Sequence, residues 1–144
     1  MRTASDVEAY LLKMSRKFRA VDDHPGMFVV EGGAGLPSVA VRVDPPLVVV
    51  RVHIGNAAPT SDMAAFYRRL LELNARELVH ASYGVDQGHV VLSSALELEN
   101  LDYNELEATM DEIDLALSQQ LPGLAKLAGL TAASGGPPSG SGKN

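Results

Sequence analysis

Between Met27 and Ile54 the chain reads "MFVVEGGAGLPSVAVRVDPPLVVVRVHI", three stretches dense in β-branched residues with very short connections between them. Parallel neighbours need a crossover of a dozen residues or more, so these segments can neighbour one another only as antiparallel strands. The spacing predicts strands over roughly Met27 to Glu31, Ser38 to Val43 and Leu47 to Ile54. The run Gly32-Gly33-Ala34-Gly35 then lies between two strands. A phosphate loop leads from a strand into a helix N-terminus and usually carries a lysine; this run has neither and reads as a hairpin loop. Pro45-Pro46 punctuates the next connection, since neither residue donates to a sheet ladder.

Helical patterns flank these strands. Ser5 followed by Glu8 suggests a capping box, and Val7, Tyr10, Leu11, Met14 and Phe18 recur at helical spacing, predicting helix one over Asp6 to Ala20. Pro25 and Gly26 stop that region. Thr60 or Ser61 is the expected cap of a second helix, whose apolar face is Met63, Phe66, Tyr67, Leu70, Leu71 and Leu73. Asn74 falls within that face, and a buried amide there is expected to tie the helix end to a neighbouring backbone group. Two strand-like runs follow, joined at Asp86-Gln87-Gly88, where Gly88 supplies the positive φ of a tight turn. Asp102 opens a third helix with the stripe Leu106, Met110, Ile113 and Leu117, and Pro122-Gly123 is expected to interrupt it before a short apolar coda through Leu130.

The resulting expectation is α+β: an antiparallel five-stranded sheet packed with three helices, in the order α-β-β-β-α-β-β-α. Residues 1–130 form one domain. The final "TAASGGPPSGSGKN", residues 131–144, has nothing to bury and is expected to be disordered.

Composition bounds the function. The chain has 144 residues, 46% hydrophobic and 21% charged, values of a globular domain with its own core. No apolar run approaches the ~18 residues of a membrane span. The N-terminus lacks a basic-then-apolar signal pattern, which points to the cytoplasm. Without cysteine there are no disulfides, thiolate nucleophiles or cysteine-based zinc sites. A net charge of −6 argues against nucleic acid as partner. Its distribution is uneven: no Lys or Arg lies between Arg76 and Lys126, while acids accumulate there. That split could orient a partner or a second copy, or be a solvated acidic face.

No catalytic constellation emerges. His24, His53, His80 and His89 form no helical pair and no HExxH pattern, and His80 and His89 fall far apart along their hairpin. Asp22-Asp23-His24 reads as a turn, Asp111, Glu112 and Asp114 point in different directions on a helix, and Ser93 and Ser94 have no nucleophile-elbow context. The expectation is a non-enzymatic protein with no cofactor and no bound metal.

The run "LLELNAREL" leading into "ASYGVDQGHVVLSSALELENLDYNELEATMDEID" in a small acidic α+β protein resembles the type III secretion chaperone-like superfamily, both its YbjN-type regulators and its Tir or CesT-type secretion chaperones. The likeness spans about Val7 to Leu121. It is carried by Leu70, Leu71 and Asn74, the Tyr83-Gly84-Val85-Asp86 to Gly88 hairpin, Val90-Val91-Leu92, and Leu101, Leu106 and Ile113. It implies a bacterial, homodimeric binding protein that holds or regulates a partner polypeptide, a secreted effector or regulatory target. The alternative is a structural or assembly subunit that uses the fold only to dimerise. Holding an extended chain requires a sheet edge or apolar grooves. Candidate partner contacts are Leu12 and Arg16 on the polar side of helix one, Leu47 and Val49 on the strand face shared with Arg51 and His53, and Leu115 among the acids of helix three. By analogy with the chaperones, helix two and the strand from Val79 to Val85 form the dimer interface, through Phe66, Leu70, Leu73, Val79, Ala81 and Tyr83.

Overall fold

The computed structural model describes residues 2–56 and 63–128. Its elements run α1 (Ala4–Lys13), β1 (Phe18–Ala20), β2 (Met27–Val30), β3 (Val39–Asp44), β4 (Leu47–Asn56), α2 (Met63–Arg76), β5 (Ser82–Asp86), β6 (His89–Glu97) and α3 (Tyr103–Ala128). All six strands join one antiparallel sheet in the order β1-β2-β3-β4-β6-β5.

The α+β class and three helices stand, but the sheet has six strands, not five. The extra one comes from the far end of the expected first helix. That helix is capped two residues earlier than Ser5 and Glu8 suggested: the Thr3 backbone N–H donates to Asp6 Oδ2 at 2.8 Å. This bond holds the Asp6 carboxyl below the usual carboxylate range. At the other end Ser15 takes a left-handed conformation at φ +60°, and the chain leaves the helix axis. Phe18–Ala20 then pairs with Val30–Phe28, and the Phe18 ring meets Phe28 edge-to-face at 6.0 Å. Phe18 sits at helical spacing from Met14, yet it reaches the core from a strand. Pairing with β2 outweighs the local periodicity.

Alternation along the strands explains the rest. Phe28, Val30, Val39, Val41, Val48, Val50, Val52, Val90 and Leu92 are buried on one sheet face, where Val7 and Leu11 of α1, Phe66, Leu70 and Leu73 of α2, and Leu106, Met110, Ile113 and Leu117 of α3 cover them. The intervening residues point the other way. By register, Val29, Ala40, Arg51, Ser93 and Ser82 form one row across that second face, which no described helix covers.

The turns behave as their residues require. Between β2 and β3, a Cβ on Gly32 would run into the Pro37 carbonyl oxygen, so the loop folds back on itself only with glycine there. Gln87 at φ +52° and Gly88 at φ +81° make the two-residue turn between β5 and β6. Asp102 and Glu105 cap α3 reciprocally, N–H to carboxylate in both directions at 3.1 and 2.8 Å. Contrary to expectation, α3 continues through Pro122 to Ala128. Buried Leu124 anchors the turn beyond the proline, which offsets the backbone bond the ring removes. The expected cap of α2 at Thr60 or Ser61 and the tail 131–144 lie outside the described residues. No helix among the described residues is long and apolar enough to cross a membrane.

Candidate protein-interaction surface

The residues singled out in the sequence fall on three separate surfaces. On the helical side, Leu12 is 66% exposed on α1 and Leu115 is 57% exposed on α3. Arg16 ties their elements together through Asp111 at 3.1 Å and Asp114 at 2.8 Å. Its guanidinium is largely covered, so Arg16, in the connection between α1 and β1, is a strut to α3 rather than a free cation. Lys13 is also engaged, its Nζ lying 4.3 Å from the Tyr103 ring centroid. Leu12 therefore stands beside basic groups that already have partners.

Leu47 and Val49 lie on the opposite side of the molecule, on the bare sheet face. Leu47 is exposed and Val49 half-buried between Arg42 and Ala95 of the neighbouring strands. Arg51, two residues on, reaches Asp86 at 3.0 Å. One continuous groove through all five expected contact residues is thus ruled out by the sheet between them.

The third surface is the α2 and β5 end. Phe66, Leu70, Leu73, Ala81 and Tyr83 are buried in the chain's own core, so five of the six side chains assigned to a dimer interface are already in use within one chain; Val79, at 82% exposure, is the exception. The helix has a second stripe instead. Tyr67 and Leu71, at i and i+4 on its outer side, are 40% and 67% exposed, and Val85 at the end of β5 is exposed too. Periodicity had placed Tyr67 and Leu71 in the core face, because an apolar arc this broad does not reveal which part meets the sheet.

The backbone edge at this end is capped at two places, Tyr83 and Ala81. Asn74 at the end of α2 accepts from the Tyr83 N–H at 2.7 Å and donates to the Tyr83 carbonyl at 3.1 Å, as a neighbouring strand would. This is the amide tie expected from the sequence. One turn of chain earlier, the Glu112 carboxylate of α3 accepts three consecutive backbone N–H groups, those of Val79 at 2.8 Å, His80 at 2.9 Å and Ala81 at 3.0 Å. The Ser94 hydroxyl adds a bond to the His80 carbonyl, and the Tyr83 hydroxyl donates to Gln120 Oε1 at 2.7 Å. Burial pushes the Tyr83 phenol well above its ordinary range. Sequence reasoning missed Glu112, reading it only as one acid in a run.

The opposite edge differs. In β1 the ladder bonds fall at Glu31 N–H to the Lys17 carbonyl and Val21 N–H to the Met27 carbonyl, both 2.9 Å. Alternation then turns the N–H and C=O groups of Phe18 and Ala20 away from β2, toward the outside of the sheet. A cleft of about 580 Å³ also opens between α2 and the end of α3, lined by Arg69, Leu73, Gln120, Leu124, Lys126 and Leu127 among others. No cluster of three or more metal-ligating side chains exists among the described residues.

Comparison with known proteins gives this arrangement a context. No curated protein matches the sequence. Among solved structures, the fold is similar to a chain of the heterodimeric ExoU-SpcU complex from the type III secretion system of Pseudomonas aeruginosa, with TM-score 0.64 and 16% identity over 81% of this chain and 95% of that one. It is similar to YbjN from E. coli, with TM-score 0.62 and 10% identity over 89% and 94%. It is also similar to the structure of the Yersinia pestis type III secretion chaperone SycH in complex with a stable fragment of YscM2, with TM-score 0.53 and 15% identity over 84% and 98%. At these identities the likeness speaks for the fold, the secretion chaperone-like one. The sequence itself matches the CesT_Tir_1 family profile over residues 1–129, nearly its whole length, and the chain therefore belongs to that family of type III secretion chaperone-like proteins.

Proposed function

We propose that this protein is a non-enzymatic, cytoplasmic, homodimeric chaperone-like domain that holds an extended segment of a protein partner. The observation that carries the reading is the family match over residues 1–129. Support comes from two similar structures, which are of proteins in complex with a polypeptide partner. The chain offers what such a role requires, an outward-facing strand at β1 and exposed leucines on the helical side.

Strand addition at β1 is tested by Ala20→Pro. The Ala20 N–H points away from β2, so proline removes an outward donor and leaves the β1–β2 ladder bonds in place. Full-length chain is used to capture its partner from lysate of the source bacterium, and the captured protein is purified and titrated. Binding is expected to weaken at least tenfold, about 1.4 kcal/mol, in Ala20→Pro. Leu12→Asp should do the same with the melting temperature within a degree or two of wild type, since Leu12 is outside the core. Capture of nothing, or equal affinity for all three chains, refutes the proposal.

Dimerisation is assigned to the outer stripe of α2 with the exposed valines beside it, not to the side chains inside the core. Two exposed large apolar residues one turn apart, Tyr67 and Leu71, are the natural centre of a two-fold contact. Light scattering of wild type at micromolar concentration should give twice the chain mass of 15.3 kDa. Leu71→Glu should give the monomer mass with an unchanged circular dichroism spectrum. A monomeric wild type would remove the dimer from the proposal.

A further inference from the structure

The bare sheet face carries a pair of imidazoles that the protein-binding role does not use. His53 on β4 lies opposite Val91 on β6, and His89 precedes Val91 by two residues on the same strand. The period of two puts both histidines on one face, and their rings approach to 5.0 Å between centroids, tilted at 48°. We propose that His53 and His89 form a two-point chelate for a divalent transition-metal ion of the nitrogen-preferring kind, binding Cu²⁺ most tightly.

Distance is the first argument. An imidazole nitrogen sits about 2.0–2.1 Å from such an ion, and the ring centre about 1.1 Å behind the nitrogen. Two rings sharing one ion at an angle between square and tetrahedral then have centroids about 4.5–5.2 Å apart. The observed 5.0 Å lies inside that interval, so the spacing of the two rings is that of a chelate.

The charged surroundings are the second. Arg51 and Asp86 are the charged groups at this spot. They are paired with each other at 3.0 Å, so the ion meets a neutral couple rather than a bare guanidinium.

Rigidity is the third. Both ligands stand on the β4–β6 ladder, His53 at the last pair before the bulge that precedes Gly55, and His89 is held opposite Asp86 on β5. No third His, Asp, Glu or Cys closes a cluster among the described residues. The chain supplies two nitrogens and water the remaining positions. Such a site suits the tetragonal preference of Cu²⁺ and Ni²⁺ better than the closed four-ligand geometry of structural zinc, and its affinity is micromolar rather than that of a folding metal. The pair is not legible in the sequence because its partners are 36 residues apart and meet only through strand register.

The test is calorimetric titration of the full chain with CuCl₂ against glycine as competitor, with electron paramagnetic resonance on the same samples. One ion per chain, micromolar apparent Kd and a nitrogen-ligated Cu²⁺ spectrum are expected. His53→Gln and His89→Gln should each weaken binding about tenfold or more and alter the spectrum, while His24→Gln and His80→Gln leave both as in wild type. NiCl₂ and ZnCl₂ should bind more weakly. Absence of binding tighter than millimolar, binding that survives both His53→Gln and His89→Gln, or a preference for Zn²⁺ over Cu²⁺ would overturn the assignment. Circular dichroism of each variant separates a lost ligand from a lost fold; a variant that unfolds places that histidine in the structure and counts against the chelate.

Discussion

Phe66→Ala is expected to lower the unfolding free energy by about 3–5 kcal/mol, the largest effect of any substitution considered for this protein. The ring is fully buried where α2 meets the sheet, and it is one of the largest side chains in the core. Removing it loses the transfer of an aromatic ring from water and leaves a cavity that the strands beneath cannot collapse to fill. The same substitution separates two meanings of an apolar residue on α2. Should Phe66 serve a subunit contact, the variant would dissociate while each chain kept its stability; as a core residue, it brings the urea midpoint down with the native oligomer mass retained below that midpoint. Leu71→Glu, at the proposed subunit contact, is expected to be its mirror image, a change of assembly without a change of fold. A midpoint shift worth less than about 1 kcal/mol for Phe66→Ala would contradict the packing described here.

Glu112→Ala is expected to cost about 2–4 kcal/mol, with the damage localised. A carboxylate accepting three backbone N–H groups makes charge-assisted bonds, each stronger than a neutral one, and those of Val79 and His80 are partly open to water while that of Ala81 is more enclosed. Alanine leaves all three donors to solvent or to nothing. Hydrogen exchange should show the amides of residues 79–81, and with them the start of β5, losing protection before the rest of the sheet. Glu112→Gln keeps one carbonyl acceptor and should fall about midway. Uniform loss of protection across the sheet in Glu112→Ala would mean that the carboxylate supports the whole domain and not the edge.

Local chemistry made much of this fold legible. The hairpins from Met27 to Ile54 were set by connections too short for any other pairing, and the Asp86-Gly88 turn by the residues that tolerate positive φ. Asn74 was legible for a different reason: an amide in an apolar stripe must find partners, and the nearest unpaired backbone was the next strand. The failures share a cause. Phe18 satisfies helical spacing and strand burial equally, and only the presence of β2 decides between them. Tyr67 and Leu71 lie in one broad apolar arc with Phe66 and Leu70, and the sequence does not say through which part of the arc the sheet is met. Glu112 and the His53–His89 pair act across 31 to 36 residues of chain, a range at which neither spacing nor composition carries a signal. Of the five residues expected to touch a partner, Arg16 turned inward because two acids of α3 lay within its reach.

The unequal ends of the sheet have a consequence for polymerisation. Open-ended stacking of strands, chain upon chain, needs a free edge at both ends of every molecule, one to offer and one to receive. Here the β5 end is capped at Tyr83 by an asparagine amide and at Ala81 by a glutamate carboxylate, while among the described residues no side chain caps the outward groups of β1. Two chains meeting edge to edge at β1 would close on themselves by a two-fold axis and leave their partly capped β5 edges outward. The caps at Tyr83 and Ala81 thus make repeated chain-on-chain strand pairing harder at the β5 edge than at the β1 edge.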